Sequence, residues 1–372
     1  MDIDRLYQDS NLDPRWDNRT KHYDTQRFPW ADMFLDCVRS RHPEVSDLTR
    51  LHESVPISQL VDLRRHIESF TRSPEFTRLL DEYAREITQG EIDTDQYMIQ
   101  SVPGLRLVIP DQRKLGRLLP FHNGYWTGYD NGTHTIWTPV TKAEGSNTMQ
   151  MTTWAQSRDM MHRIHDEQWG LDRIQQECEA LCEPVELDPG QCFLFNQGCL
   201  HGNINNDTGY TRMSFDFRVA VKDIEFGRRR PGSYYRFPGA SMAKSPNLAD
   251  KSRRWAVMIN PNDAYVGMSP YFMMREYILG WCKALGINPV EWSNEFHGCD
   301  WMPHIGSRMK DAGAGIVYAS IYNFSISPEQ RLDMFRNALD MDMQMIFCDE
   351  NMAVTQKEDL DLVKRYYEFY YG

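Results

Sequence analysis

The chain has 372 residues, eight cysteines and a formal net charge of −12. This length favours two domains, each large enough to bury its own core. The negative charge disfavours binding to polymeric nucleic acid, so we expect small-molecule partners. Because no signal peptide or long apolar run is recognisable, the cysteines predict a reduced, cytoplasmic protein outside the membrane, with its oligomeric state left open.

The first 95 residues or so are polar, with helical periodicity in their second half. The segments 58–70 and 73–87 each begin with a serine that is suited to capping a helix. Apolar residues then recur at spacings of three and four, which is typical of a helix with one buried face. We expect these helices to support a β-rich core.

From Tyr97 the pattern changes to short β-like runs separated by Gly, Asn and Pro turns. The predicted strands are 97–102, 105–110, 134–140, 147–154, 192–198 and 213–221. A predicted helical segment, 157–182, interrupts them. This pattern of short strands separated by turns predicts a barrel or jelly roll within an α+β protein.

Two histidines stand out in the β-rich part, His122 in "LPFHNGYW" and His201 in "CLHGNINN". Non-haem iron(II) oxygenases hold their metal with two His and one carboxylate, the first His and the carboxylate being two residues apart. Here the residue two after His122 is Gly124, which cannot bind a metal. The third ligand therefore comes from elsewhere, is water, or is an anion. Asp130 and Glu144 are the nearest alternatives, but both adjoin Gly turns and are better explained as turn or surface residues.

Eleven residues after His201 come Arg212 and Ser214, on the same face of a predicted strand. Arg can bind a carboxylate through two parallel hydrogen bonds, and a serine hydroxyl can add a third. The pair therefore suits the distal carboxylate of 2-oxoglutarate. Arg218 lies on the same face and is interpreted as structural.

With these residues, segment 95–225 resembles the phytanoyl-CoA-hydroxylase-like branch of the Fe(II)/2-oxoglutarate oxygenases, which have a double-stranded β-helix. The resemblance implies that His122 and His201 bind Fe(II) and that Arg212 and Ser214 bind 2-oxoglutarate. Gly124 is similar to the residue found at this position in radical halogenases, where chloride takes the vacated coordination position. A few two-histidine hydroxylases also lack the carboxylate ligand at this position.

The halogenase resemblance implies that O2 is consumed, succinate and CO2 are released, and an unactivated C–H bond is chlorinated. The nearest type acts on the deoxyribose of 2'-deoxyadenosine monophosphate in antibiotic biosynthesis, so the substrate is expected to be an anionic nucleotide or a sugar-like molecule. The alternatives are a hydroxylase of an aminocyclitol or carbohydrate, and a non-catalytic binding protein. Candidate substrate contacts are Asn123, Tyr125, Trp126, Asn147, Arg228, Arg229 and Arg230.

The predicted domains are 1–227, with the oxygenase-like jelly roll, and 254–372, joined by a Pro-, Gly- and Arg-rich linker at 228–253. The second domain alternates strands with helices, the latter at 269–286, 301–312, 328–339 and 356–370, which predicts a small α/β parallel sheet. Polar residues follow its strands, where ligands bind in open α/β sheets: Asn260, Glu295, Ser320 and Glu350. This half is similar to a small family found in carbohydrate biosynthesis clusters.

Overall fold

The computed structural model describes residues 3–8, 19–89, 97–111, 119–129, 132–221, 229–239, 245–259, 271–289, 291–294, 314–322, 324 and 326–371. The chain divides into two compact units. The first contains Met1–Arg229 and Tyr235–Gly239, and the second contains Arg230–Tyr234 and Ala240–Gly372. Residues of the predicted linker thus belong to both units.

The described part of the first unit contains seven helices and ten strands. The helices are α1 (Ile3–Gln8), α2 (Trp30–Arg39), α3 (Leu51–Ser54), α4 (Ile57–Phe70), α5 (Pro74–Thr88), α6 (Trp154–Asp166) and α7 (Leu171–Leu181). The strands are β1 (Arg19–His22), β2 (Tyr97–Gln100), β3 (Gly104–Val108), β4 (Thr133–Pro139), β5 (Gln150–Met151), β6 (Glu183–Pro184), β7 (Gln191–Asn196), β8 (His201–Gly202), β9 (Arg212–Val221) and β10 (Tyr235–Arg236).

These strands form two antiparallel sheets. The larger has the order β1-β7-β4-β9-β2-β10, with β3 also paired to β9. The smaller has the order β6-β5-β8. The long central strand β9 is in contact with β2, β3 and β4, so its side chains are anchored from both sides.

Side chains of β9 alternate between two environments, as strand geometry requires. Met213, Phe215 and Phe217 are fully buried in the main apolar core together with residues of α2, α4 and α5. The charged and hydroxyl side chains of β9 therefore project from the other face. The predicted helical support is confirmed, and α5 begins where Ser73 accepts a hydrogen bond from the backbone N–H of Phe76.

The predicted helical segment 157–182 consists of two helices, α6 and α7, instead of one. A capping box formed by Thr153 and Gln156 starts α6. The break follows from Gln168, which has a φ of 52°, and Gly170, which precedes α7 with extended backbone. A left-handed residue cannot continue a right-handed helix.

The described part of the second unit contains a five-stranded sheet of order β12-β11-β13-β14-β15. Its elements are β11 (Arg254–Ile259), α8 (Tyr271–Leu285), β12 (Glu291–Asn294), β13 (Ala314–Tyr318), α9 (Pro328–Asp340), β14 (Gln344–Phe347), β15 (Met352–Val354) and α10 (Leu360–Tyr371). The predicted parallel arrangement holds for β12, β11, β13 and β14. β15 was not predicted and is antiparallel, because a short turn joins it to β14.

Ser320 and Glu350 follow β13 and β14 and lie together, since the Ser320 hydroxyl donates to the Glu350 carboxyl at 2.6 Å. Burial raises the pKa of Glu350 to about 8. The predicted helix 301–312, Asn260 and Glu295 lie outside the described residues.

The molecule is therefore a mixed α/β protein with antiparallel sheets in its first unit and a largely parallel sheet in its second. The double-stranded β-helix topology stays a prediction. Within the described ranges, none of the helices has both the length and the apolar character needed to span a bilayer.

Candidate active site

His122 and His201 lie directly opposite each other across an antiparallel bridge. The backbone N–H of each donates to the carbonyl of the other at 2.9 Å. Their imidazole rings are 4.4 Å apart between centroids and inclined by 49°. The two histidines, 79 residues apart in sequence, therefore form one pair of side chains.

Both imidazoles are set in the same tautomer by the backbone. Nδ1 of His122 lies 2.9 Å from the Pro120 carbonyl, and Nδ1 of His201 lies 2.9 Å from the Cys199 carbonyl. Because a carbonyl only accepts, each Nδ1 carries the proton and each Nε2 keeps its lone pair. Burial lowers the pKa of both rings, and each ring is further disfavoured as a cation by nearby positive charge. Neutral imidazoles with a backbone-bonded Nδ1 are the form in which histidine binds metals.

Gly124 lies in a tight turn beside this pair, and its backbone N–H donates to the Gln197 carbonyl at 2.6 Å. A Cβ atom at position 124 would lie 2.1 Å from Oε1 and 2.7 Å from Cβ of Gln197. The Gln197 side chain is buried and is held by a 2.6 Å hydrogen bond from its Nε2 to the Thr135 hydroxyl. Gln197 thus occupies the space into which a carboxylate side chain at position 124 would project.

Other carboxylates do not complete the pair within the described ranges. No group of three or more His, Cys, Asp and Glu side chains there is arranged to hold a metal ion. Glu144 instead pairs with Lys142 at 2.6 Å on the surface, as expected for a turn residue. Asp130 lies outside the described residues.

Arg212 and Ser214 project from the same face of β9, as the sequence predicts. The Arg212 side chain is 1% exposed, and its Cζ lies 5.4 Å from the ring centroid of Trp137. Trp137 Nε1 donates to the Ser214 hydroxyl at 3.0 Å, which leaves the Ser214 O–H available as a donor.

Arg212 is a buried cation without a carboxylate partner among the described residues. Among the described residues, no carboxylate lies within ion-pair distance of its guanidinium, and its Nε has no hydrogen-bond partner. Burial, reinforced by repulsion from Arg106, lowers the pKa of Arg212 to about 9. Such a group is costly unless a ligand compensates it, and a bidentate carboxylate is the best match.

Arg212 and His201 both line one cleft of about 370 Å³, a volume that includes open solvent. The other lining residues are Arg106, Leu119, Thr135, Trp137, Met149, Phe195, Gly202, Asn203, Asp216 and Arg218. The cleft therefore brings His201 and Arg212 together, and adds three charged residues to them.

The predicted substrate contacts near His122 are placed differently from one another. Asn123 is fully buried, with its amide donating to Met161 Sδ and accepting from the Trp126 backbone, so its role is to hold the turn. The Tyr125 hydroxyl donates to Asn196 at 3.3 Å. Trp126 is 37% exposed. Asn123 therefore has a structural role in the turn, and its contact with a substrate stays a prediction.

Neither Asn147 nor Arg229 is among the residues that line the cleft. Asn147 is 1% exposed and holds a turn through the Glu144 N–H and the Thr208 hydroxyl, so its contact with a substrate also stays a prediction. Arg229 lies over the ring of Tyr129 in the first unit, and Arg230 belongs to the second unit. Arg228 lies outside the described residues.

Gln197, Arg106 and Asp216 were missed from the sequence. Asp216 was detectable, because it lies between Ser214 and Arg218 in the alternating strand "MSFDFRV" and shares their face. Arg106 and Gln197 act through contacts to residues far away in sequence, and no local pattern marks them.

No family model matches the chain. The chain is 28% identical over 147 residues to the streptomycin biosynthesis protein StrG of Streptomyces griseus. This match covers 39% of the chain and 58% of that protein, so the chain spans a little over half the length of this curated relative.

Solved structures that resemble the chain include the non-haem, α-ketoglutarate-dependent epimerase SnoN from nogalamycin biosynthesis (TM-score 0.33, 13% identity, 67% of this chain and 91% of that one). They also include the nickel complex of the non-haem monooxygenase ThoJ (0.29, 16%, 54% and 69%). A third is EvdO2 from Micromonospora carbonacea var. aurantiaca with 2-oxoglutarate (0.28, 14%, 44% and 68%).

At such scores and identities, these likenesses carry no argument about the activity of this chain. Halogenation, chloride binding and a nucleotide substrate stay predictions.

Proposed function

We propose that this protein is an Fe(II)/2-oxoglutarate-dependent oxygenase that halogenates an unactivated C–H bond of a nucleotide or sugar-like substrate. The observation that carries the proposal is a pair of facing imidazoles that each keep an Nε2 lone pair, together with the buried guanidinium of Arg212, which lines the same cleft as His201. The first suits a metal, and the second suits a dicarboxylate cosubstrate. Neither the unbonded Nε2 atoms nor the buried guanidinium stabilises a protein core that binds no ligand.

In this proposal, His122 and His201 hold Fe(II) through Nε2, and the Pro120 and Cys199 carbonyls keep the rings in the required tautomer. Arg212 binds the distal carboxylate of 2-oxoglutarate, and Ser214 donates a further hydrogen bond. Trp137 orients Ser214 and covers the guanidinium. When bound, iron and 2-oxoglutarate supply the oxidising power of the reaction, with O2 consumed and succinate and CO2 released.

Gly124 and Gln197 support halogenation over a three-ligand mechanism. Gln197 fills the place that a carboxylate at position 124 would need, which supports a site with two histidine ligands and no carboxylate from this position. A two-histidine iron site has one more open coordination position than a site with two His and a carboxylate. A halide is the ligand that we propose for that position.

The substrate is proposed to be anionic, with 2'-deoxyadenosine monophosphate as the first compound to test. Three arginines against one aspartate in the cleft support an anion. Trp137, at the cleft wall, offers an aromatic surface for a base or sugar.

The test incubates protein, Fe(II), 2-oxoglutarate, O2 and chloride with nucleotide monophosphates and with aminocyclitol phosphates, and follows product mass. We expect a chlorinated product, and an increase in its share as chloride rises. A hydroxylated product that is indifferent to chloride would replace halogenation by hydroxylation at the same residues. His122→Ala and His201→Ala should abolish either product, and Arg27→Gln, a surface substitution, should leave turnover unchanged.

A further inference from the structure

The amide side chain of Gln175, in α7, is bound to the backbone immediately before His122. Its Oε1 accepts from the Phe121 N–H at 2.7 Å, and its Nε2 donates to the Phe121 carbonyl at 3.1 Å. Both distances are typical of N–H···O hydrogen bonds. Only one orientation of the amide makes the two bonds together, so Gln175 is fixed in its rotation as well as in its position.

The antiparallel pairing of His122 with His201 explains why Phe121 needs such a partner. Consecutive residues of an antiparallel strand direct their backbone N–H and C=O groups to opposite sides. Those of His122 bind the backbone of His201, so those of Phe121 point away from it. Phe121 is 2% exposed, and buried backbone groups need hydrogen-bond partners. Gln175 supplies both partners, which a neighbouring strand would otherwise provide.

The two bonds fix the two peptide units on either side of Phe121. The first unit contains the Pro120 carbonyl and the Phe121 N–H. Its carbonyl accepts from Nδ1 of His122 at 2.9 Å, and its N–H donates to Gln175. The second unit contains the Phe121 carbonyl and the His122 N–H. Its carbonyl accepts from Gln175, and its N–H donates to His201. Because each unit is planar, holding one end orients the other, so Gln175 orients both the imidazole and the backbone of His122.

Close packing against Gly202 and α7 restricts Phe121 further. A Cβ atom at position 202 would lie 2.8 Å from both Cα and Cγ of Phe121, so the glycine permits the close approach of the two segments. Phe121 is buried in one apolar cluster with Ile174 and Cys178 of α7. The helix therefore holds Phe121 through apolar packing and, at Gln175, through the backbone.

We propose that Gln175 is a positioning residue for the metal ligand His122, and that it sets the direction of the His122 Nε2 lone pair through the backbone of Phe121. Naming His122 as a metal ligand depends on the proposed function, whereas the contact between Gln175 and Phe121 does not. Gln176, the next residue of α7, is exposed. It therefore offers a matched control on the same helix.

The first measurement is amide hydrogen exchange in the metal-free, full-length protein. Gln175→Leu keeps the approximate size of the side chain but removes both hydrogen bonds, so the Phe121 N–H should exchange at least tenfold faster. Gln176→Leu makes the same change at an exposed position and should leave this rate unchanged. Equal exchange in the parent protein and in Gln175→Leu would overturn the proposal, because Gln175 would then not restrain Phe121.

The second measurement is a titration of the same proteins with Co(II), whose visible spectrum reports the geometry of its ligands. Gln175→Leu should weaken Co(II) binding at least fivefold and shift the absorption bands. Gln175→Glu still accepts from the Phe121 N–H but repels the Phe121 carbonyl, so it should lie between Gln175→Leu and the parent protein. Ile174→Ala loosens the apolar packing of α7 without removing either bond, and its Co(II) spectrum should match that of the parent protein.

Failure of the proposed function is distinguishable from failure of the positioning role. If the parent protein binds no Co(II), or binds it equally well after His122→Ala, both are overturned. If Co(II) binds through His122 but Gln175→Leu has the parent affinity and spectrum, only the positioning role is overturned. The same holds if Ile174→Ala shifts the spectrum as much as Gln175→Leu does, because the effect would then come from packing. Should Gln175→Leu not fold, Gln175→Glu decides the question, and an unchanged spectrum in that variant overturns the positioning role.

Discussion

The contact between Gly124 and Gln197 predicts that even a methyl group at position 124 is costly. The new Cβ would lie 2.1 Å from Gln197 Oε1, which can rotate away, but also 2.7 Å from Gln197 Cβ, which is attached to the backbone. Overpacking of this kind costs about 1–3 kcal/mol. Rotation of the amide also breaks its bond to Thr135, at about 1 kcal/mol. We therefore expect Gly124→Ala to lower the free energy of unfolding by about 2–4 kcal/mol.

A double-mutant cycle with Gln197→Ala tests this reasoning, with calorimetry or urea unfolding as the assay. The double variant should recover about 1–2 kcal/mol relative to Gly124→Ala, because the Gln197 atoms beyond Cβ are gone and only the 2.7 Å contact with Cβ remains. The same logic applies to metal binding. Gly124→Asp alone should not tighten Mn(II) binding, whereas Gly124→Asp/Gln197→Ala should. The reasoning is refuted if Gly124→Ala is within about 0.5 kcal/mol of the parent protein, or if Gly124→Asp alone creates the tighter site.

Three further predictions concern single side chains. Arg212→Lys keeps a positive charge but loses the bidentate geometry, so 2-oxoglutarate affinity in the iron-loaded protein should fall at least tenfold, and an unchanged titration would remove Arg212 from the clamp. Glu350 has a pKa raised from 4.5 to about 8 in the fold, so its contribution to stability is full below pH 4.5 and is lost as pH rises towards 8. Glu350→Gln should flatten the pH dependence of unfolding of the second unit over that range, and a parallel profile for both proteins would contradict this. Asn147→Ala should cost about 1–2 kcal/mol of stability through its lost turn bonds while leaving substrate affinity unchanged, which distinguishes a structural from a binding role.

The residues best predicted from the sequence are those whose spacing reflects strand or helix geometry. Arg212 and Ser214 share a face because side chains alternate along β9. The start of α5 follows from the capping serine at position 73. The pairing of His122 with His201 could be proposed only through the family resemblance, since nothing local joins two residues 79 positions apart.

The parts that sequence reasoning missed depend on contacts between distant segments. Gln197 matters only because the turn at Gly124 packs on it. Arg106 matters only because β3 pairs with β9 and places it beside Asp216. Asn123 and Asn147 were predicted as ligand contacts from their polar side chains, and the sequence did not reveal the hydrogen bonds that each makes within its own turn.

The helix break in 157–182 and the antiparallel strand β15 were missed for a related reason. Both depend on single residues in left-handed backbone conformations, Gln168 and Asn351. Such conformations are uncommon outside glycine and are not signalled by hydrophobic periodicity.

The most direct test of the account is an anaerobic titration of the protein with Fe(II) and 2-oxoglutarate, following the metal-to-ligand absorption band with and without chloride. The account predicts a saturable band that is lost in His122→Ala, His201→Ala and Arg212→Gln, and that shifts saturably with chloride. A band that does not respond to chloride would contradict halide binding at the position left by Gly124. The absence of any band would contradict the iron and 2-oxoglutarate site itself.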